Sequence, residues 1–493
     1  MMTGFLLLAI FGVMAVLMFR RKLPVLLALP LMAIAIAAVG GIPLSSILSD
    51  VIGNGALRLA EAATITMFGG MLSFFLQKTG VAESLIKMGA ELAGDDPWKV
   101  GLIMLILIIT LFTTLGGLGA IIMVATVVLP IMASVGMTPM IAGGLFLIGL
   151  SAGGILNAGN WAVYIGVMHL DVPTVRNYAL LLFAAAFVMA LVFMTVELWR
   201  ARQIRSLRKY FIRAGVGVAS AAALTLVARQ LPAEQVDAIG SQALAVIGTG
   251  LEYILLAIGA AAAIHIVSDL VRKRKAPQSV RPVQWYAYLI PILPLILILV
   301  YQVNFISAFL IAVVYGYIVT LRKGSLNLLT QAVIEGSASV IPAVLLMFGI
   351  GMLLNAIIGP SGYAQLHGGA EWPVIGYLRP LIASTIPTTW VWYLAAFTIA
   401  APLALYRGPL NVWGLGYGLA AVMMATGKIS GAAIMAMLLS VGQVQGVCDP
   451  TNTQNVWLAN ELKLDVQAIL WRTLPYMWGL AFIGLLVGVV LFY

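Results

Sequence analysis

The sequence predicts an all-α polytopic membrane protein made of two inverted repeats, each with a re-entrant helix hairpin and an unwound transmembrane helix. Three observations support this fold class. The 493 residues are 62% hydrophobic and only 9% charged, whereas soluble domains carry roughly 25% charged residues. Apolar runs long enough to span a bilayer as helices recur throughout the chain, and they lack the alternation typical of porin strands. Short motifs also recur in the same order in the two halves.

The net charge of +10 comes from basic residues that cluster in short loops. This distribution follows the positive-inside rule and indicates the lipid bilayer, rather than nucleic acid, as the partner of these charges. No metal-ligand spacing links the three histidines, and the single Cys448 excludes an internal disulfide. We therefore expect no cofactor apart from a coupling ion. The basic clusters lie at 20–22, 200–213, 272–275 and 322–323.

The first element, residues 1–22, is predicted to be a retained transmembrane helix with its N-terminus outside. It lacks the basic n-region and the small-residue cleavage site of a signal peptide, and its charges follow the apolar run.

Three pairs of motifs indicate an internal repeat. "VIGNGA" at 51–56 matches "VIEGSA" at 333–338, 282 positions later, and "MFGGML" at 67–72 matches "MFGIGML" at 347–353, 280 positions later. "HLDV" at 169–172 matches "KLDV" at 463–466, at an offset of 294.

The basic loops predict that the two repeats run in opposite directions. The first helix ends inside at Arg20–Lys22, so helix 23–39 runs outward, whereas its counterpart 305–321 runs inward to Arg322 and Lys323. Inverted repeats with broken helices are typical of secondary transporters.

The predicted domains are the N-terminal helix 1–22, a first repeat 23–197, a basic cytoplasmic linker with connecting transmembrane helices 198–304, and a second repeat 305–493. We also expect an amphipathic surface helix at 80–99, a spanning helix at 285–301 and connecting helices at about 215–229 and 241–268.

Two interruptions predict re-entrant hairpins, at about 100–132 and about 381–425. The first contains "FTTLGG", where glycines permit a tight reversal, although two ordinary helices joined by a turn remain an alternative. The second contains "YRGPLN", where Pro409 and Gly408 interrupt the helix. An arginine at membrane depth costs at least about 2.5 kcal/mol on insertion scales, so Arg407 is either the counter-charge for an anion or an interfacial side chain. The candidate substrate-binding residues of the two tips are Thr113, Thr114, Gly116, Gly117, Arg407 and Asn411.

Two further interruptions predict broken helices, at 138–168 and 428–460. In "SAGGILNAGN" glycines and asparagines would unwind the helix, although close helix packing explains small residues too. In "CDPTNTQN" Pro450 removes a helix donor, although an exposed polar loop would have the same composition. The 294 offset pairs Asn157 with Thr451 and Asn160 with Gln454. The candidate substrate-binding residues are Asn157, Asn160, Thr451 and Asn452, and the candidate sodium ligands are Gly153, Asn157, Asp449, Thr451, Asn452 and Thr453.

On these motifs the chain resembles the ion transporter superfamily of secondary carriers, and within it the citrate-type permeases. The tips at 112–120 and 405–414, and the breaks at 151–162 and 446–456, carry the resemblance over most of the chain. The gluconate and TRAP-type permeases remain alternative relatives. The resemblance implies that hairpin tips and unwound helices hold substrate and coupling ion, that the substrate moves by an elevator motion, and that the protein is a homodimer. The tips "TTLGG" and "YRGPLN" depart from the Ser-Asn-Thr tip common among dicarboxylate carriers.

The predicted function is secondary active transport of a small organic anion, a di- or tricarboxylate or related carboxylate, driven by a Na⁺ or H⁺ gradient across a bacterial inner membrane. The alternative is a cation/proton antiporter on the same scaffold. That function needs titratable carboxylates deep in the membrane, for which Asp449 is the candidate. An enzyme is not expected, because no histidine, serine and aspartate grouping has catalytic spacing.

Overall fold

The computed structural model describes residues 2–20, 22–204, 283–321, 325–383 and 386–493, together with positions 253, 257, 260 and 264. The predicted helices at 215–229 and 241–268 and the basic clusters at 272–275 and 322–323 lie outside the described residues. Every regular element in the described ranges is helical. Five of these helices are long and apolar enough to cross a membrane, or six when one bent pair is counted as a single span. The chain is thus an all-helical multi-span protein.

The helices are numbered here in chain order. The first nine are α1 Met2–Phe19, α2 Val25–Val39, α3 Leu44–Thr79, α4 Val81–Ala93, α5 Pro97–Phe112, α6 Leu118–Ser134, α7 Pro139–Ile155, α8 Ala158–Met168 and α9 Val172–Arg200. The remainder are α10 Leu293–Leu299, α11 Phe305–Val319, α12 Ser325–Ile358, α13 Tyr363–Leu366, α14 Pro373–Ile382, α15 Trp390–Ala400, α16 Tyr417–Thr426, α17 Gly431–Cys448, α18 Thr453–Glu461 and α19 Val466–Phe492.

The chain folds into two compact units that differ from the predicted repeats. One unit comprises Met1–Met67, Pro139–Phe193 and Ser339–Tyr493, and the other comprises Phe68–Thr138 and Met194–Ala338. Each unit therefore takes segments from both halves of the sequence. The predicted repeats are a relation between sequences, and they do not correspond to separately packed bodies.

The predicted helices of the first repeat are found close to their expected positions. The surface helix 80–99 is shorter than expected, because Gly80 and Gly94 adopt positive φ at its two ends. It is amphipathic as predicted, since it buries Val81, Leu85 and Ile86 and exposes the Glu83–Lys87 ion pair, 2.6 Å long. The arms of the first hairpin are α5 and α6, and the helix predicted at 138–168 is the bent pair α7 and α8.

The predicted spanning helix at 285–301 is wrong. The structure has a short 3₁₀ turn, Trp285–Leu289, followed by α10 of seven residues. At 1.5 Å per residue α10 is about 10 Å long, well short of the roughly 30 Å hydrocarbon core. Pro291 and Pro294 lack the N–H groups that a continuous helix would need, so an apolar run was mistaken for a span.

Both copies of the first repeated motif adopt the same unusual backbone. "VIGNGA" overlaps the π-helical turn Ile47–Asn54 in α3, and "VIEGSA" overlaps the π-helical turn Ala332–Gly336 in α12. In the first unit a Cβ added to Gly55 would lie 2.8 Å from Met352 Cα. In the second unit a Cβ added to Gly336 would lie 2.7 Å from Met71 Cα. Gly55 and Gly336 are 281 positions apart, as are Met71 and Met352, so a close glycine crossing recurs at equivalent positions.

Candidate functional site: two helix breaks and a hairpin tip

The first helix break separates α7 from α8, which bend by 52°. Asn157 caps α8, because its side chain accepts a hydrogen bond from Gly159 N–H at 2.9 Å. Asn160 Nδ2 donates to the carbonyl of Gly154, six positions earlier, at 2.8 Å. Side-chain amides therefore take over backbone hydrogen bonds that the helix has lost, which lets a break persist inside a packed unit.

The second helix break separates α17 from α18 and is built in the same way. Asn455 Nδ2 donates to the carbonyl of Asp449, again six positions earlier, at 3.0 Å. Asn160 and Asn455 are 295 positions apart, as are Gly154 and Asp449. The offset of 294 predicted from "HLDV" and "KLDV" is therefore one position too small at the breaks.

This corrected register changes the predicted pairs. Asn157 corresponds to Asn452, the N-cap of α18, instead of Thr451, and Asn160 corresponds to Asn455 instead of Gln454. Asn452 does not cap its helix with its side chain. Its Nδ2 donates to the Gln445 carbonyl at 2.7 Å instead.

The two broken spans run antiparallel within the first unit. Gly143, near the start of α7, packs against Leu462 beyond the end of α18, and Gly431, at the start of α17, packs against Met168 at the end of α8. The start of each span therefore lies beside the end of the other.

The two spans touch just before their breaks. Ser151 Oγ donates to Gln443 Oε1 at 2.8 Å, and a Cβ added to Gly446 would lie 2.8 Å from Ser151 Oγ. Ser151 and Gly446 are themselves 295 positions apart, so equivalent residues meet at the crossing.

The tip of the second hairpin is hydrogen-bonded onto the second break. The hairpin comprises α15, the 3₁₀ segment Ala401–Arg407, the π-helical turn Val412–Gly416 and α16. Tyr406 N–H donates to Asp449 Oδ1 at 3.1 Å, and Asn411 Nδ2 donates to Asp449 Oδ2 at 3.2 Å. Val412 N–H donates to Gln445 Oε1 at 2.7 Å. Two side chains of the break region thus hold the tip in place.

The backbone of this tip departs from the expected turn. Tyr406 (φ 53) and Arg407 (φ 57) adopt the left-handed conformation. This conformation costs a residue with a Cβ about 1 kcal/mol or more. Gly408 is extended, with φ −65 and ψ −179. A Cβ there would collide with the Leu403 carbonyl. Gly408 is thus needed for a close approach, and Tyr406 and Arg407 supply the left-handed residues of the turn.

Asp449 is fully buried, at 0% exposure. Besides the two donors from the tip, its Oδ1 accepts from Thr451 N–H at 2.9 Å and from Thr451 Oγ1 at 2.7 Å. Among the described residues no lysine or arginine forms an ion pair with it. The carboxylate is therefore solvated by dipoles and has no cationic partner in this part of the chain.

Arg407 lies between the two tip residues that bond Asp449. Its side chain is half-buried, and within the ranges that the structure describes it makes no hydrogen bond or ion pair. Its five N–H donors form a planar fork suited to a carboxylate.

The predicted site residues divide between the two units. Those of the first unit lie at the two breaks and the second tip, and they are Gly153, Asn157, Asn160, Arg407, Asn411, Asp449, Thr451, Asn452 and Thr453. Within this set Asn411 is 2% exposed, and its Nδ2 bonds Asp449 and the Ala404 carbonyl. Asn411 is therefore better placed to hold the tip than to contact a substrate.

The predicted residues of the first tip, Thr113, Thr114, Gly116 and Gly117, belong to the second unit. Thr113 Oγ1 donates to the Thr110 carbonyl at 2.8 Å, and Thr114 Oγ1 donates to the Pro291 carbonyl at 3.0 Å. Gly117 supplies the left-handed residue before α6, with φ 83.

Sequence reasoning missed two residues of this site, Gln443 and Gln445, which are each 5% exposed on α17. Their signal was present in the sequence, since "GQVQG" places two amides in an apolar helix where a buried amide needs a partner.

No protein-family model matches the sequence, and no curated protein matches it. Among solved structures, the YdaH transporter of Alcanivorax borkumensis is similar over 94% of this chain and 97% of that chain, with a TM-score of 0.53 and 15% identity. MtrF of Neisseria gonorrhoeae, described as one of a class of antimetabolite efflux pumps, is similar over 91% of this chain and 84% of that chain, with a TM-score of 0.47 and 14% identity.

The likeness to YdaH shows a common fold. The chain is a multi-span membrane protein with a broken helix pair, and it shares its fold with a protein described as a transporter. The narrower resemblance to citrate-type permeases stays a prediction.

Proposed function

We propose that the protein is a secondary active transporter of small organic anions, of the di- or tricarboxylate type or related carboxylates, driven by a Na⁺ or H⁺ gradient across a bacterial inner membrane. The observation that carries the proposal is the docking of the second hairpin tip on the second break through Asp449. Arg407 belongs to the same tip, between Tyr406 and Asn411 in sequence, and it makes no hydrogen bond within the described residues.

Two features favour an anion at this place. Arg407 is a permanent cation with a fork that matches a carboxylate. The N-terminus of α18 adds a partial positive charge and N–H donors, and Asn452 leaves them without a side-chain cap. An arginine in an apolar segment is costly, so a substrate carboxylate that pairs with it offsets that cost.

The paired breaks also suit alternating access. Unwound helices expose backbone groups near the bilayer midplane, where inverted repeats commonly bind substrate and ion. The antiparallel contact of α7 with α17 supports the inverted relation. An elevator motion and a homodimer remain expectations from the family resemblance.

A cation/proton antiporter is the second candidate, favoured by the burial of Asp449. Arg407 disfavours it, because an antiporter has no anionic substrate to offset the cost of an arginine in an apolar segment.

The test is uptake of labelled carboxylates into proteoliposomes with an imposed Na⁺ or H⁺ gradient. Arg407→Gln should reduce anion uptake at least tenfold, and Arg407→Lys should retain part of it, since lysine keeps the charge but loses the fork. Arg176→Gln is the matched control, because Arg176 bonds only its neighbour Asn177 on the surface. Equal uptake by Arg407→Gln and the wild type would rule out the assigned role. Cation flux without any carboxylate uptake would favour the antiporter.

A further inference from the structure

Arg58 ties the end of α8 to two other helices, and it does so through hydrogen-bond acceptors alone. Its Nη1 donates to Asn355 Oδ1 at 2.7 Å and to the Gly359 carbonyl, just beyond α12, at 3.2 Å. Its Nη2 lies 2.9 Å from Nε2 of His169, the residue that follows α8. Arginine has no acceptor atom, so this last contact is a hydrogen bond only while the imidazole is neutral.

The bond to His169 is the part of this cluster that depends on pH. Asn355 is 2% exposed, and its Nδ2 donates to the Asp50 carbonyl on α3 at 2.7 Å. Arg58 is therefore held between α3 and α12 by amide and carbonyl groups that do not titrate. His169 is exposed, and an imidazole changes its charge between pH 5 and pH 8.

The charges on the surrounding elements do not neutralise the cluster. These charged groups are Asp50 and Glu61 on α3, Asp171 and Arg176 at the start of α9, Glu335 on α12 and Lys428 before α17. Within the described ranges no carboxylate forms an ion pair with Arg58 or His169. Lys428 donates to a backbone carbonyl and Arg176 to its neighbour in the chain.

A proton on His169 would replace the hydrogen bond with repulsion between two cations. Burial, and then the charge of Arg58, lower the pKa of His169 below its ordinary value of 6.5. The neutral form is thus favoured in the folded protein, and the bond is complete above about pH 6.5. It is lost as the pH falls through the lowered pKa.

The internal repeat does not account for this cluster. The counterpart of His169 in the repeated "LDV" motif is Lys463, which has the same left-handed φ of 54 but no acceptor atom. The position equivalent to Arg58, 281 residues later, is Ser339. The contact therefore exists at the end of α8 and has no equivalent at the end of α18.

The helix α8 connects this contact to the candidate site. It has 11 residues and is about 17 Å long. Its first turn is capped by Asn157 at the first break. Tyr164, in its middle, packs against Tyr417 in the second hairpin, with ring centroids 6.0 Å apart. A shift of α8 at its His169 end would therefore reach both the first break and the arm of the second hairpin.

We infer that Arg58, Asn355 and His169 form a pH-operated latch on α8, which is closed while His169 is neutral and opens when it is protonated. In the predicted topology α2 runs outward and α3 returns, so the latch faces the outside and responds to the external pH. The opening of the latch does not depend on transport, whereas its effect on uptake rests on the proposed function.

The test is hydrogen exchange of the purified full-length protein, followed by mass spectrometry at pH 7.5 and pH 5 and corrected for intrinsic exchange rates. Amides of α8 should exchange at least about threefold faster at pH 5, because the helix loses its tie to α3. The internal control is α18, which ends near Lys463 and should show no such change. In His169→Gln, which keeps a neutral acceptor, α8 should stay protected at both pH values.

Equal responses of α8 and α18 in the wild type would overturn the latch, as would faster exchange of α8 at pH 5 in His169→Gln. A midpoint of the α8 response above pH 6.5 would also contradict it, since the folded-state pKa is lowered. If His169→Gln does not fold, the comparison of α8 with α18 in the wild type decides by itself.

Uptake of labelled carboxylate into proteoliposomes tests the regulatory role. The ratio of wild-type uptake to His169→Gln uptake should change at least about twofold between external pH 7 and pH 5, and a constant ratio would remove that role. Exchange of α8 that depends on pH, in a protein without carboxylate uptake, would leave the latch standing and refute the transport proposal. Carboxylate uptake with α8 exchange that is independent of pH would do the reverse.

Discussion

Arg58 donates a hydrogen bond to His169 over 2.9 Å, from Nη2 to Nε2. Because arginine is only a donor, this bond requires a neutral imidazole with its proton on Nδ1. Arg58 Nη1 also donates to Asn355 Oδ1 at 2.7 Å and to the Gly359 carbonyl at 3.2 Å. The contact therefore ties the end of α8 to α3 and to the end of α12 within the first unit.

This contact should make stability depend on pH. Burial, and then the charge of Arg58, lower the pKa of His169 below its usual value of 6.5. A lowered histidine pKa favours the neutral form in the folded protein, so the contribution is complete above about pH 6.5 and declines as the pH falls below that value. We expect the wild-type Tm to fall between pH 7 and pH 5, and His169→Gln, which keeps an acceptor, to lose that part of the decline. Comparison of the two Tm–pH curves removes the effect of other groups, and parallel curves would contradict the prediction.

Asp449→Asn should release the second hairpin tip. The asparagine amide keeps one oxygen acceptor, but it has no charge and its NH₂ group points at N–H and O–H donors. Loss of the hydrogen bonds to a charged group should cost about 1.5–3 kcal/mol. The measurement is the rate of trypsin cleavage after Arg407 in the purified protein, which should rise several-fold. Asp171→Asn is the control, since Asp171 only caps α9. Unchanged cleavage in Asp449→Asn would show that the carboxylate does not hold the tip.

Gly408→Ala should destabilise the same tip for a steric reason. Its Cβ would collide with the Leu403 carbonyl, and overpacking of this kind costs about 1–3 kcal/mol. Gly116→Ala is the matched control at the first tip, where a Cβ would meet no atom within 4 Å. The Tm should fall in Gly408→Ala and stay near the wild-type value in Gly116→Ala. Similar Tm values for the two variants would contradict the assignment.

The repeated "LDV" motif shows what the sequence could predict. His169 and Lys463 both adopt left-handed φ of 54. The following aspartates cap their helices as expected, with Asp465 accepting from Gln467 N–H at 3.0 Å and Asp171 from Thr174 N–H at 3.4 Å. Capping depends on neighbours in sequence, so short motifs carry it.

The parts that were missed depend on contacts between distant segments. The register of the breaks is set by which carbonyl each asparagine reaches, as with Asn455 and Asp449, and residue types alone leave it uncertain by one position. The need for glycine at 408 comes from the Leu403 carbonyl, which only the folded tip brings close. In 285–301 the apolar composition outweighed two prolines in the prediction, although the prolines decide whether the helix continues.

The meeting of Ser151 with Gly446 bears on how such a chain could arise. Ser151 and Gly446 are equivalent positions that touch each other. If an ancestral protein of half this length had dimerised in opposite orientations, the two copies would have been in contact at this one position. A bulky side chain at this position would have clashed in such a dimer, because each copy would have brought the same side chain to the contact. In a protein whose halves descend from one such sequence, fusion frees the two positions to differ. Here one position carries a hydroxyl that donates to Gln443, and the other is a glycine.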